Sequence, residues 1–287
     1  MMKKKILATI MTIVTAVMLF CGCAGEMSGI TVITREKGSG TRSAFIEITG
    51  IEAKNEEGTK VDRTMAQAET QSSTAAVITS VSNTKNAVGY ISLGSLNDTV
   101  KAVKVNGVEA TVENVKNGTY KLSRPFNIAY KGELDQATQD FVNFIMSSNG
   151  QSIIEKEGYI KVKDDAAAYT SSNISGTVKI AGSSSVSPVM GKLREAYIAL
   201  NPNVTVDIQT SDSTTGMNEA TEKPGTIGMA SREIKQSEID GGLTGLTIAK
   251  DGIAVIVNKE NECSDLTLEQ ITKIYIGESK EWSEVNG

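Results

Sequence analysis

The sequence predicts a soluble α/β protein, and three observations carry that prediction. Strand-like and helix-like stretches alternate along the chain, the pattern of α/β layers. Hydrophobic residues make up 39% and charged residues 22% of the 287 residues, a globular rather than a disordered balance. Two Gly/Ser-rich turns each stand between an alternating apolar run and a helical pattern. The length fits one large domain or two of ordinary size. Histidine is absent. That removes Ser-His-Asp and Cys-His nucleophile systems, the usual zinc sites and imidazole acid–base chemistry. With aromatics at 5% and a single Trp, a sugar site of stacked rings is disfavoured.

At the N-terminus, Lys3, Lys4 and Lys5 precede an apolar run from Ile6 to Phe20. A bilayer span takes about 20 residues, so this shorter run fits an export signal. The following Phe20-Cys21-Gly22-Cys23-Ala24-Gly25 resembles the lipobox of bacterial prolipoproteins. The resemblance implies a signal peptide over 1–22 and a lipid-modified Cys23 at the head of the mature chain. Cys21 is the alternative acceptor, because Phe20 is atypical three places upstream, and an ordinary secretory signal is the other reading. Cys263 is then the one thiol left, so no intrachain disulfide is expected. Loss of the three leader lysines leaves 26 basic against 34 acidic residues, a formal charge of −8. Such a chain has no basic footprint for nucleic acid.

The first polar turn lies in 30–48. Ile30, Val32 and Thr34 alternate as a strand, Gly38-Ser39-Gly40-Thr41 forms the turn, and a helix starts over Ser43 to Ile48. The second lies in 178–200. Val178 and Ile180 alternate, Gly182-Ser183-Ser184-Ser185 turns, Ser187 is an N-cap and Pro188 the first helical residue. Val189, Leu193, Ala196 and Leu200 recur at helical spacing, and Asn201-Pro202 stops the helix. A helix N-terminus exposes unpaired N–H groups and about half a positive charge. Glycine admits a ligand close to the backbone and hydroxyls add donors, so such a turn is an anion site without a lysine. Neither turn is a Walker A loop or G-x-G-x-x-G. Further polar clusters follow Val204-Val206-Ile208 (Thr210 to Gly216) and Ile227 to Ala230 (Ser231-Arg232-Glu233).

Together these segments are specific. GSGTRSAF at 38–45, GSSSVSPVM at 182–190, GMASREI at 228–234 and DGIAVIVN at 251–258 resemble the phosphate-binding lipoproteins of bacterial ABC importers. So do NAVGYISLGSL at 86–96, LSRPFNIAYKGE at 122–133 and LTLEQITKIYIGESKEWSEV at 266–285. The likeness spans about 28–163 and 176–287. It implies a two-lobed type II periplasmic-binding-protein clamshell, each lobe a mixed β-sheet flanked by helices. In that family the GSSSVSP segment comes first and the Trp282 segment leads into the GSGTR strand, whereas here the order is reversed. The order reads as a circular permutation, or as a truncated or tandem gene product, a fragment of a longer chain. Residues 164–176 would join the old ends, reaching about 40 Å at roughly 3.3 Å per residue. By the same likeness one lobe is 24–124 plus 252–287, and the other is 125–251 with the 164–176 linker.

The resemblance implies phosphate contacts from Ser184, Ser185 and Val186, from Ser213 with Thr214, from Ser231 and Arg232, and from Arg35, Ser39, Gly40 and Thr41. Arg35 would hold two phosphate oxygens with its planar fork. Some phosphate binders follow the third-loop Ser with an Asp that accepts the phosphate proton and repels proton-free sulfate. Arg232 stands there instead, so the acceptor is sought at Asp251 first and Asp212 second, with Asp251 as a partner of Arg232 the competing role. Arg42 is a surface residue or a helix-face ion-pair partner. The implied protein is an extracytoplasmic, membrane-anchored monomer without cofactor or metal, serving a membrane ABC permease and its ATPase. Alternatives are a sulfate or molybdate binder, or a receptor or adhesin on the same fold. A Ser–Lys hydrolase fails because no Ser-x-x-Lys sequence sits on either anion turn. Other features read as structural: Asp135 as a cap before core residues Phe141, Phe144 and Ile145, and Thr267 with Gln270 as a capping box. Trp282 reads as packing near the cleft rim. Gln71 to Thr74 is either a helix cap or a further cleft donor.

Overall fold

The computed structural model describes residues 29–285. The leader expected over 1–22 and the lipidation expected at Cys23 or Cys21 lie outside the described residues. The chain opens with β1 (Thr31–Arg35), α1 (Gly40–Thr49), β2 (Glu52–Lys54), β3 (Lys60–Asp62), β4 (Glu69–Gln71), α2 (Thr74–Asn83) and β5 (Ala87–Ser92). It continues through β6 (Val100–Ala102), β7 (Lys104–Val105), α3 (Val112–Lys116), β8 (Ser123–Lys131), α4 (Gln136–Ile145), α5 (Ser148–Lys156) and β9 (Ile160–Lys161). Then come β10 (Gly176–Ser183), α6 (Ser187–Leu200), β11 (Val204–Ser211), α7 (Ser213–Glu222), β12 (Thr226–Ala230) and α8 (Gln236–Asp240). The last elements are β13 (Leu243–Asn258), β14 (Asp265–Leu266) and α9 (Leu268–Ile276).

One curled mixed sheet runs β11-β10-β12-β8-β13-β5-β1-β4, with β6 and β9 also paired to β13. Its two ends repeat one plan. β1 lies parallel to β4 and β5, and β10 lies parallel to β11 and β12. The strands β1, β4, β10 and β11 each lead through a short polar turn into a helix, α1, α2, α6 and α7 respectively. Four helix N-termini therefore stand at the carboxyl ends of parallel strands, where open α/β sheets take their ligands. The middle of the sheet is antiparallel. β13 pairs with β8 over its first part and with β5 over Ile253 to Val257, so one strand belongs to both halves. Its stretch Asp251 to Asn258 is buried throughout, which explains the near-continuous apolar run in the sequence.

Apolar packing divides on either side of this crossing. One core gathers Val32, Phe45, Tyr90, Ile271, Tyr275 and Trp282, with the Phe45 ring stacked 4.0 Å from Tyr90. The other gathers Phe126, Phe141, Phe144, Leu193 and Tyr197. Asp135 caps α4 by accepting the Thr138 N–H at 2.8 Å, and Thr267 with Gln270 closes a capping box on α9. Two helix starts differ from expectation. α1 begins at Gly40, because the Ser39 hydroxyl accepts the Arg42 N–H at 3.3 Å and caps the turn itself. α6 is preceded by Val186 rather than capped by Ser187, whose hydroxyl donates back to the Ser183 carbonyl at 3.1 Å.

The stretch expected as a free linker is strapped to the second core. The Tyr169 and Tyr197 hydroxyls both donate to Oδ2 of Asp140, at 2.5 and 2.8 Å, and the Tyr169 ring meets Phe144 edge-on at 5.1 Å. Burial, and then the Asp140 charge, push the Tyr169 hydroxyl up to about 12, so it stays a donor. Trp282 is 3% exposed and packs in the first core, but not at the cleft rim. Its Nε1 donates to the Asn86 carbonyl at 3.0 Å, and the Ile30 N–H donates to the Lys280 carbonyl at 2.6 Å. Trp282 thus stands at the entry to β1, roughly 17 Å from the Gly38 turn at about 3.3 Å per strand residue.

Where β8 and β13 cross, Arg124 and Asp251 are register partners joined by a 3.0 Å ion pair, each 1% exposed in its side chain. Burial pushes the Asp251 carboxyl up and the Arg124 guanidinium down, and each is opposed by the other's charge. Asp251→Asn leaves a buried guanidinium without its counter-charge. The expected loss is about 3–5 kcal/mol of stability, read as a lower urea midpoint; an unchanged midpoint would contradict the pair's role.

Candidate anion site between the lobes

Arg35 closes β1 with its side chain 3% exposed. Its backbone N–H donates to the Tyr90 hydroxyl at 3.2 Å, which shares a 2.8 Å hydrogen bond with Thr34 Oγ1. Burial pushes the Tyr90 hydroxyl up, so it remains neutral. Arg42 braces the same strand end. Its Nη1 donates to the Arg35 carbonyl, while its Nε and Nη2 hold Asp62 at 2.9 and 2.8 Å. Arg42 is therefore an ion-pair partner but not a surface residue, being 8% exposed.

The Arg35 guanidinium is shared among three groups. Nε and Nη2 fork onto Glu36 at 2.7 and 2.6 Å, Nη1 reaches Thr74 Oγ1 at 3.4 Å, and Nη2 also donates to Ser184 Oγ at 3.1 Å across the cleft. Around it lies a cluster of buried hydroxyls. Thr41 and Thr74 Oγ1 share hydrogen bonds with Ser185 Oγ at 2.9 and 3.0 Å. Ser183 Oγ donates to Ser231 Oγ at 2.9 Å, and the Ser231 N–H donates to Ser213 Oγ at 3.1 Å.

The lobes are closed on one another here. A Cβ on Gly40 would lie 2.4 Å from Ser213 Oγ and 2.8 Å from Ser231 Oγ, so only glycine permits this approach. The Gly38 carbonyl accepts from both the N–H and the hydroxyl of Thr214, at 3.1 and 3.2 Å. Four helix N-termini, each worth about half a positive charge, thus converge with one guanidinium and a hydroxyl lining. That arrangement suits a compact oxyanion with several acceptor atoms.

Among the expected site residues, the structure brings together Arg35, Ser39, Gly40, Thr41, Ser184, Ser185, Ser213 and Ser231. Ser39 is buried beside Gly40, and its hydroxyl accepts the Arg42 N–H as the cap of α1. Five others are engaged elsewhere. The Val186 N–H donates to the Ser183 carbonyl at 3.0 Å, and Thr214 uses both donors on Gly38. Arg232 forks onto Glu238 at 2.9 and 2.6 Å. Burial raises the Glu238 carboxyl, but the Arg232 fork and the Lys235 N–H outweigh it and hold Glu238 below the usual range. Asp251 faces Arg124, not Arg232. Asp212 caps α7, with its oxygens on the Thr215 N–H and hydroxyl at 2.9 and 2.7 Å. Both readings of Gln71 to Thr74 hold: Ser73 caps α2 through the Ala76 N–H, and Thr74 faces the cleft. Glu36 escapes sequence reasoning altogether, and Ser183 is seen there only as part of its turn.

A closed interlobe cleft at strand carboxyl ends, lined by helix N-termini, defines a solute-binding protein of the periplasmic type. A family profile described as PBP superfamily domain matches residues 23–149 and 167–287. The chain is 48% identical over 274 residues to the phosphate-binding protein PstS 2 of Streptococcus agalactiae, covering 93% of each. It is similar to the crystal structure of a phosphate-binding protein of a phosphate ABC transporter from Streptococcus pneumoniae TIGR4, at a TM-score of 0.71 and 43% identity, over 90% of this chain and 100% of that one. The phosphate-binding protein PstS of Staphylococcus saprophyticus is 39% identical over 118 residues, 39% of this chain and 37% of its own. The chain belongs to the PBP superfamily and, within it, to the PstS-like phosphate-binding proteins.

The Asp62 brace has a pH signature. Burial raises its carboxyl, but the Thr64 hydroxyl and amide together with Arg42 outweigh that and hold it below the ordinary aspartate value. A depressed carboxyl contributes stability above its unfolded value and loses it as pH falls through the folded one. Asp62→Asn should therefore cost about 1 kcal/mol at pH 6, and that cost should shrink as the pH falls below the ordinary aspartate range. Denaturant titrations from neutral into the acid range check this, and a cost independent of pH would contradict it.

Proposed function

We propose that the chain captures inorganic phosphate in the interlobe cleft and delivers it to a membrane ABC permease and its ATPase, acting by binding and not by catalysis. The observation that carries this reading is Arg35, buried at the meeting point of four helix N-termini and directed at Ser184 across the cleft. The ligand contacts are Arg35, Ser39, Gly40 and Thr41 from one lobe and Ser184, Ser185, Ser213 and Ser231 from the other, joined by Thr74. An acidic net charge does not oppose this, because charges beyond about 8 Å are largely screened at physiological salt.

The reading extends to the rest of the chain. The lobes are 24–124 plus 252–287, and 125–251; residues 1–22 are a leader, and a lipid on Cys23 holds a monomer outside the cytoplasmic membrane. The permuted order is supported by the last described turn, Trp282–Glu284, which packs at the entry to β1. Joining the segments there and opening 164–176 restores the family order with both cores kept. Collinearity with the S. agalactiae relative over 93% of its length, against 37% for the staphylococcal one, accords with this.

Arg35→Ala is expected to lower phosphate affinity by about 30- to 4,000-fold, the roughly 2–5 kcal/mol lost when one member of a desolvated charge pair is removed. Calorimetric titration of both proteins tests it. Near-wild-type phosphate binding in the variant would sink the site assignment, and full competition by sulfate would replace phosphate with another oxyanion.

A further inference from the structure

The cleft as built leaves a chemical question about its ligand. Near neutral pH a phosphate dianion keeps one proton, whereas sulfate, with the same shape and charge, has none. A site that prefers the first needs an acceptor aimed at that proton, because an unprotonated ligand oxygen facing the same acceptor is repelled. The carboxylates expected to serve are held by groups outside this cluster. Asp251 Oδ2 lies on Arg124 in the sheet crossing, and both oxygens of Asp212 hold Thr215 at the start of α7.

Among the described residues, one carboxylate is in contact with a side chain of the anion site. Glu36 takes Nε and Nη2 of Arg35 on its two oxygens, at 2.7 and 2.6 Å. Each carboxylate oxygen accepts two hydrogen bonds, so this fork leaves accepting capacity on both. Nη2 is the same nitrogen that donates to Ser184 Oγ at 3.1 Å. Two acceptors on one trigonal nitrogen stand about 5 Å apart, so the Glu36 carboxylate and the Ser184 hydroxyl flank the same edge of the guanidinium. The Glu36 backbone is fixed as well, its N–H donating to the Gln71 carbonyl at 3.1 Å. Its side chain is 23% exposed, at the edge of the buried cluster rather than within it.

We propose that Glu36 is the specificity-determining residue of the cleft: its carboxylate, oriented by Arg35, accepts the proton of a monohydrogen oxyanion and turns away fully ionised ones. This rests on the phosphate reading above. The proton stays on the ligand, shared in a hydrogen bond, and no covalent step is involved. A role limited to holding Arg35 makes a different prediction, because a misplaced guanidinium weakens phosphate and sulfate alike.

The test is calorimetric titration of the wild-type protein, Glu36→Gln and Glu36→Asp with phosphate and with sulfate at one pH, with thermal melts to show that each variant folds. In Glu36→Gln the ratio of phosphate to sulfate affinity is expected to fall by about 10- to 100-fold, the loss of a hydrogen bond to a charged acceptor. Glu36→Asp should keep most of that ratio. Equal weakening of both anions in Glu36→Gln would overturn the proposal in favour of a holding role. Unchanged affinity for both anions would overturn it in favour of a hydroxyl acceptor. A wild-type protein that bound neither anion would overturn the phosphate reading itself.

Discussion

A guanidinium taken almost wholly out of water is the constraint on which the rest of this structure depends. Burying an unpaired cation costs several kcal/mol even after relaxation, and Arg35 has one carboxylate against it while helix N-termini add positive potential on every side. The elements around it make sense as a response. Tyr90 and Arg42 fix the backbone at the end of β1, and the Phe45–Tyr90 stack ties that strand end to α1 and the first core. Glu36 balances the guanidinium charge and the hydroxyls take remaining donors, so the positive potential that is left comes from the helix N-termini. The cleft is left with a surplus of positive potential that an anion relieves.

The sheet crossing supplies the second requirement, that donors on separate lobes meet at one place. β13 is continuous through both halves, and its register with β8 and then β5 sets how the two fans of parallel strands face each other. The Arg124–Asp251 pair sits where those registers change over. A buried pair of this kind is weak support for stability but fixes geometry, because slipping either strand by one residue would separate the charges. Closure is then completed by glycines rather than by further charges: Gly38 and Gly40 let the backbone of one lobe lie against Asp212, Ser213 and Ser231 of the other.

Much of this was legible in the residues, and the illegible parts have physical reasons. The turns after β1 and β10 stand out because glycine, serine and proline punctuate strong apolar periodicity on both sides. Their counterpart before α2 does not, since β4 is three residues long and mostly exposed, and offers no alternation to mark a strand. Thr74 was therefore legible only within a four-residue segment that reads equally as a helix cap or a cleft donor. The pairings of Arg232 with Glu238 and of Asp251 with Arg124 depend on where chains cross in space, which spacing along the sequence does not encode. Ser187 was a sound cap on propensity alone, but the turn tightened by one residue and its hydroxyl closed back on Ser183.

The hydroxyl lining has one more property. Each of Thr41, Thr74, Ser183, Ser184, Ser185, Ser213 and Ser231 can donate or accept, and a hydroxyl reverses its sense by turning about a single bond. The heavy atoms of the cavity need not move for its hydrogens to be re-pointed. Backbone amides and the guanidinium give the cavity a fixed polarity, and the hydroxyls give it an adjustable one. Such a wall is amphoteric: it keeps one shape while matching whichever arrangement of protons its guest presents.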